Sequence, residues 1–352
     1  MTPQAKSAAS AADLRGVNLF RVAIVGAATL KGKEVAEVLR DRNFPAIDVR
    51  LLDDDESLGR LEALGDEMSF IQSVRAEQFE HVDFTFFTSD VHCTLENWRT
   101  ARDLGSAIVD LSYALEGEPQ VAIRSPWIER QSGHPITPEL QPGPVVVAHP
   151  AATVLALLTS RAGNVQRIVA TVYEPASERG QKGMDELHEQ TVNLLSFQEL
   201  PKEIYDVQIA FNMVSRYGPR SSSNLQEVSQ RIRKHYRKIA PGLIEPSLFV
   251  VQAPIFHGHA FAVYFEMETP VTVEEFSQRL AGDHVVITPG TDTPTNVSAA
   301  GQGDIHVSLA PDSGRENGIW LWAATDNLRI SAVTAIECAE SMTTSRPRGQ
   351  IQ

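Results

Sequence analysis

The stretch Val145-Val146-Val147-Ala148-His149-Pro150-Ala151-Ala152-Thr153-Val154-Leu155-Ala156-Leu157-Leu158 changes hydrophobic rhythm at its middle. The β-branched run before His149 predicts a strand buried on both faces, and the apolar residues after Pro150 predict a helix. Such a joint sets the unpartnered N–H groups of a helix N-terminus at the end of a strand, where they favour negative charge. A cysteine there would ionise readily and act as a nucleophile. This chain has Ala151 and Ala152 instead. A second candidate is Gly26-Ala27-Ala28-Thr29-Leu30-Lys31-Gly32, laid out like a dinucleotide phosphate loop with Gly26, Ala27, Thr29 and Gly32 as cofactor contacts. Only the first and last glycines of that pattern stand, and the Cβ of Thr29 would crowd a phosphate. A tight-turn role therefore competes with phosphate binding. Cys93 is a lone cysteine, a type more often structural than catalytic.

These residues need elements to position them. Strands are predicted at Phe20 to Val25, Val49 to Leu52, Phe84 to Phe87 and Ala107 to Leu111, with helices at Glu34 to Arg40 and Leu95 to Leu104. That alternation gives an α/β, doubly wound, mostly parallel sheet over residues 17–149. Beyond it, strands at Arg167 to Tyr173, Leu248 to Ile255, His259 to Glu268, Ile305 to Leu309 and Ile319 to Ala323 predict a mixed or antiparallel sheet. Helices at Gly183 to Phe197 and Asn224 to Ile239 accompany it, forming an α+β second domain over 150–325. A last helix covers Leu328 to Met342. Residues 1–16 and 343–352 read as polar tails, and Gly290 to Gly303 as the least constrained internal loop.

Composition narrows the function classes. At 352 residues, two domains are expected, and 42% apolar content suffices for their cores. The balance of 31 Lys+Arg against 45 Asp+Glu gives −14, without a basic cluster, which argues against nucleic acid. Two distant cysteines make no disulfide framework or zinc spacing, so a reducing, cytoplasmic setting is expected. No apolar run reaches the roughly 20 residues that span a bilayer, and no membrane role is expected.

Taken together, Val22 to Ala27, Arg42-Asn43-Phe44-Pro45, Val109-Asp110-Leu111-Ser112, Ala148-His149-Pro150, Ile209-Ala210-Phe211-Asn212, Pro254 to His259 and Trp322 to Arg329 resemble the aspartate-semialdehyde dehydrogenase family, in family order from about Val17 to Met342. The resemblance implies an NADP-binding Rossmann domain completed by a returning C-terminal helix (326–342), and an α+β domain that carries the active site and dimerises. It also implies a chemistry: a cysteine thiolate attacks the aldehyde, hydride passes to NADP, phosphate releases the acyl group, and a histidine moves protons.

Carried over residue by residue, the resemblance loses its chemistry. The nucleophilic cysteine corresponds to Ala152, the asparagine before it to Ala151, and the substrate-orienting glutamine to Glu174. The carboxylate-binding arginine corresponds to Gln252, the phosphate-binding arginine to Glu116, and the substrate lysine to Ser229. His259 keeps the family's catalytic identity, and Asn327 is carried over as a cofactor contact. The arginine for the 2′-phosphate corresponds to Glu56, in an acidic run from Asp53 that would repel phosphate and suit NAD better. Ser89-Asp90-Val91 replaces the small loop that passes the nicotinamide. His149, Glu174, His257 and His259 would share a cleft, but His257 and His259 are read as facing oppositely, and no metal is expected. The resulting expectation is a relative similar to the Usg-type branch: dimeric, non-catalytic, a binding or scaffold protein, with NAD or NADP as an open cofactor question. The alternative is an NAD(P)-dependent oxidoreductase acting on the aldehyde or oxo group of another substrate, linked to amino-acid biosynthesis.

Overall fold

The computed structural model describes residues 19–54, 59, 61–64, 67–133, 143–289 and 292–343. The expected tails at 1–16 and beyond 343, and Glu56, lie outside them. The first strand, β1 (Phe20–Val25), is buried on both faces, as its unbroken apolar run requires. It turns into α1 (Leu30–Asp41) and returns as β2 (Ala46–Asp53). A hairpin of β3 (Leu61–Leu64) and β4 (Glu67–Phe70) follows, then β5 (Gln72–Ser73). Next come β6 (Phe84–Phe87), α2 (Val91–Asp103), β7 (Ala107–Asp110), β8 (Ala122–Arg124), α3 (Pro126–Gln131) and β9 (Val145–Val147). The seven-stranded sheet has the order β5-β2-β1-β6-β7-β9-β8, and its pairings are parallel. This is the doubly wound, Rossmann-like arrangement expected.

The chain then enters α4 (Pro150–Ala162), which is apolar almost all round because it is covered almost all round. The second sheet begins with β10 (Val165–Glu174), followed by α5 (Gly180–Leu195), α6 (Leu225–Ile239), β11 (Ser247–Gln252) and β12 (His259–Met267). It is completed by α7 (Val273–Leu280), β13 (Val285–Ile287), α8 (Asn296–Ala299), β14 (Ile305–Pro311) and β15 (Gly318–Thr325). Its order is β11-β10-β12-β15-β14-β13, and it is mixed, with parallel pairs at both edges. Ile168, Val172, Phe261, Val263 and Leu321 point into the core. Alternation sends their neighbours to the other face, where Tyr173 meets Trp322 at 5.8 Å and Tyr264 meets Trp320 at 4.9 Å. On that face Phe249 is 56% and Trp320 48% exposed.

The last helix, α9 (Asn327–Thr343), crosses back to the first domain and packs on α1. Arg329 donates to Glu34 and Asp41, and Arg42 binds Glu340, so both ends of that contact are clamped by charge. Among the described residues, no helix is long and apolar enough to cross a membrane. One expectation is corrected: the supposedly unconstrained loop at 290–303 contains α8, entered through a Thr295–Ser298 capping pair.

Candidate functional site in the interdomain cleft

A cavity of about 400 Å³ opens between the two domains. Its first-domain wall comes from Thr29, Lys31, Ser89, Asp90, Tyr113 and His149, and its second-domain wall from Glu174, Glu178, Arg179 and Arg231. Each is placed by a local device. Asp110 ends β7 and accepts from Ser112 N at 2.7 Å and Leu115 N at 3.0 Å. That folds the turn in which Tyr113 takes a φ of 66° and projects its ring into the cleft. The ring carries Lys31 Nζ at 4.6 Å and the Arg231 guanidinium at 5.0 Å, and stacks on His149 at 5.7 Å.

His149 caps α4. Its Nδ1 accepts from Ala151 N at 3.2 Å, so the proton of the neutral ring lies on Nε2. Burial above all holds its pKa well below the usual histidine value. Its own backbone N–H goes to His235 Nδ1 at 2.8 Å, and His235 Nε2 reaches Glu116 Oε1 at 3.1 Å. His235 is therefore also neutral, donating from Nε2. The positive end of α4 is covered by an imidazole rather than left for an anion.

Glu116 is not an isolated repelling charge. Arg231, Lys234 and His235 share one face of α6 at helical spacing; Arg231 Nε lies 2.6 Å and Lys234 Nζ 2.9 Å from the carboxylate. Burial favours its protonation, but these three partners outweigh it and hold the pKa at about 2. The acid is thus neutralised by its partners rather than presented to the cleft as a bare charge. Ser229 does not line the cavity; Arg231, two residues on, does.

On the opposite wall, Glu174 Oε1 accepts from Arg179 Nη2 at 2.6 Å, while Oε2 is buried without a partner. Burial pushes the Glu174 carboxyl up to about 7, against the pull of Arg179. Glu178 goes the other way: burial raises it, but nearby charge, Lys31 foremost, and the hydrogen bond from Asn327 hold it at about 2. Gln252 is fully buried behind this wall and fully engaged. Its amide donates to Glu174 O and Ala253 O at 2.9 Å each and accepts from Tyr217 OH at 2.7 Å.

The structure brings together some of the predicted site residues and not others. Thr29, Glu174 and His149 reach the cavity wall, whereas Gly26, Ala27, Gly32, Ala152, His257, His259 and Asn327 do not. Ala152 is fully buried on α4. His259 stands behind His149 at 5.8 Å between ring centres, with neither ring nitrogen hydrogen-bonded and Nε2 3.9 Å from Glu178. His257 lies in the turn before β12, so the strand-face argument does not apply to it; alternate residues of one strand would in any case share a face. Asn327 opens α9 fully buried, donating to Glu178 at 2.7 Å and accepting from Gly258 N and Ser177 Oγ. Its amide pins the turn beneath the cleft. Among the described residues, no group of three or more His, Cys, Asp or Glu is arranged to hold a metal.

The glycine loop is built by close backbone approach and by its own hydrogen bonds. Gly26 and Gly32 are required by the turn: an added Cβ would lie 2.4 Å from Ser89 N and 2.2 Å from Gly26 O respectively. Several of the loop's amides, however, are spent internally. Ala27 N donates to Leu52 O at 3.1 Å, Ala28 N to Asp53 Oδ2 at 2.6 Å, and Gly32 N to Thr29 Oγ1 at 3.0 Å. Asp53, which could have met a ribose, grips the loop instead. Asp90 caps α2 through Cys93 N, and Lys31 donates to Leu111 O at 3.3 Å along the first-domain wall.

A doubly wound parallel domain joined through a buried strand-to-helix elbow to a domain built on a mixed sheet defines a two-domain protein of the dehydrogenase type. Residues 21–134 match the family described as "Semialdehyde dehydrogenase, NAD binding domain" and residues 155–330 that described as "Semialdehyde dehydrogenase, dimerisation domain". The chain belongs to the semialdehyde dehydrogenase family. It is 26% identical to an aspartate-semialdehyde dehydrogenase of Rickettsia conorii, over 92% of this chain and 97% of that one. It is 28% identical to the USG-1 protein homolog of Azotobacter vinelandii, over 91% and 96%. Among solved structures, a probable aspartate-semialdehyde dehydrogenase from Pseudomonas aeruginosa superposes with a TM-score of 0.80 at 26% identity, covering 92% of this chain and 98% of that one.

Lys31, Tyr113, Glu178, Arg179, Arg231 and His235 were not singled out by sequence. For one group a signal existed: the basic residues at 231, 234 and 235 share a helix face and could have been matched to an acid. Lys31 carried none, because only the fold turns it inward.

Proposed function

We propose that this chain is a non-catalytic member of its family, a cytoplasmic homodimer that works as a binding or scaffold protein. Ala152 carries the reading: the position resembling the family's nucleophile is a buried methyl group. The chain's two thiols do not replace it. Neither lines the cleft, and burial pushes Cys93 up and Cys338 up to about 12, so both stay protonated. The carboxylate-binding position is a fully engaged glutamine, and the phosphate-binding position is an acid consumed by three basic partners. With no thiol on the cleft wall to form an acyl intermediate, no hydride step is assigned. The dimer forms through the aromatic face of the second sheet, paired isologously about a two-fold axis.

The test is an assay with aspartate semialdehyde, NADP and phosphate, alongside melting curves with NAD and NADP. Neither turnover nor a rise in melting temperature is expected, and NADP has no advantage over NAD. Turnover near the ordinary enzyme range of about 1–1000 per second overturns the non-catalytic reading. A clear stabilisation by either nucleotide overturns the reading of the loop.

A further inference from the structure

A second cavity, of about 500 Å³, lies outside the cleft, between β8, α3, α4 and the C-terminal end of α6. Its apolar wall is made by Ile123, Ile128, Ile239, Ala240, Pro241 and Leu243, and among the described residues no aromatic ring lines it. Arg231 lines the cleft and Lys238 lines this cavity, about 10 Å further along the same helix, so the two spaces are distinct. The walls are held without any ligand. Arg124 grips both oxygens of Glu129, at 2.9 and 2.6 Å, and fixes α3 against β8. Beyond α6 the chain is pinned by Tyr236 OH, which donates to Ile244 O at 2.6 Å, and by Glu245, which holds Arg233 and Arg237 at 2.6 Å each. A preformed apolar hollow of this size is the ordinary setting of a small-molecule site.

The polar groups on this wall are not equally spent. Glu129 is neutralised by Arg124, and the Ser132 and Ser160 hydroxyls donate to Glu129 O at 2.9 Å and Leu157 O at 2.8 Å. Lys238 is exposed at the mouth and, among the described residues, has no hydrogen bond or ion pair, since Glu245, the next acid along the chain, is taken by Arg233 and Arg237. Gln131 accepts from Arg161 Nε at 3.2 Å through its oxygen, which leaves its amide N–H groups to donate. The mouth therefore offers one unpaired cation and one neutral donor, with its acid already matched. We propose that this cavity binds an aliphatic monocarboxylic acid of medium length, its alkyl chain among the isoleucines and its carboxylate between Lys238 and the Gln131 amide. Branched aliphatic walls without a ring suit a flexible chain better than a flat aromatic one, and each buried methylene strengthens binding about fourfold. The inference goes beyond the proposed function and does not rest on it, since neither the cleft nor Ala152 takes part.

Full-length protein carrying isotope-labelled isoleucine methyl groups is titrated with octanoate, and the same titration is followed by calorimetry. One saturable site per chain is expected, with a Kd on the order of 0.1 mM, and the methyl shifts concentrate at Ile123, Ile128 and Ile239. Butanoate binds at least about tenfold more weakly. Octylamine also binds more weakly than octanoate, although the net charge of −14 favours a cation at any nonspecific surface. Lys238→Gln, a change at an exposed position, weakens octanoate about threefold and leaves 1-octanol unaffected. Absence of saturable octanoate binding, or shifts centred on other isoleucines, overturns the proposal within the unmodified chain. Octylamine binding as tightly as octanoate, or a Lys238→Gln chain that holds octanoate as well as the parent does, overturns the carboxylate assignment.

Discussion

Ala152 and His149 form one unit: the methyl group is buried at the start of α4, and the imidazole covers the helix end above it. Restoring a thiol by Ala152→Cys is therefore expected to give no turnover of aspartate semialdehyde, because clamps for carboxylate and phosphate are missing at independent positions. The new thiol would also be shielded, so its alkylation by iodoacetamide should lag that of half-buried Cys93. Turnover by this single variant would sink the residue assignments. A second side chain gives a pH prediction. The His284 ring stacks on Trp127 at 4.0 Å and meets Arg130 Nη2 with Nε2 at 3.1 Å. Since a guanidinium can only donate, that nitrogen accepts and the ring is neutral. Burial, then Arg130, lowers its pKa from 6.5 to about 4. Between those values the unfolded chain binds a proton that the folded chain does not, so this contribution is present above 6.5 and lost as pH falls toward 4. His284→Gln should flatten the melting-temperature curve across that window; a curve parallel to the parent's would refute the assignment.

At the level of elements, the β1–α1 turn is built by close backbone approach. Gly32→Ala would bring a Cβ to 2.2 Å of Gly26 O, backbone that cannot move aside without breaking the turn. A loss of about 1–3 kcal/mol in denaturant unfolding is expected, whereas an unchanged midpoint would show that the turn yields. The glycine pattern announced this turn correctly and could not say who uses its amides. That depends on Asp53, a strand residue whose carboxylate reaches Ala28 only once β1 and β2 are paired. The same division runs through the fold. Strands such as β1, β6 and β12 were legible because burial on both faces, or strict alternation, leaves a pattern. The short β5, β8 and β13 were not, being held by neighbours rather than by their own residues. Helix α7 was missed although its Thr272–Glu275 capping box was readable. In the cleft, the absence of a nucleophile was visible in one residue, Ala152, while the Glu116 cluster required two segments over a hundred residues apart to meet.

For the whole molecule, the aromatic face of the second sheet is the surface with most to gain from a partner. Trp320 and Phe249 lie on it substantially exposed, and Tyr173, Tyr264 and Trp322 continue the patch. A double substitution, Trp320→Glu with Phe249→Glu, should convert the homodimer to monomer at micromolar concentration by light scattering. A parent chain that is already monomeric, or a variant that stays dimeric, would remove this face from consideration. The placement of α9 has a different kind of outcome. This helix supplies buried Ile330, Ala335, Ile336 and Ala339 to the first domain, yet it is the last element among the described residues. During synthesis the second sheet, whose final strand β15 precedes α9, has all its strands before the first domain receives its cover. At about 5–20 residues per second, the nascent first domain waits on the order of ten seconds or more with the apolar flank of α1 open. The flank of α1 is thus open until α9 has been made, and a truncation shortly before Asn327 is expected to leave it open in the finished chain.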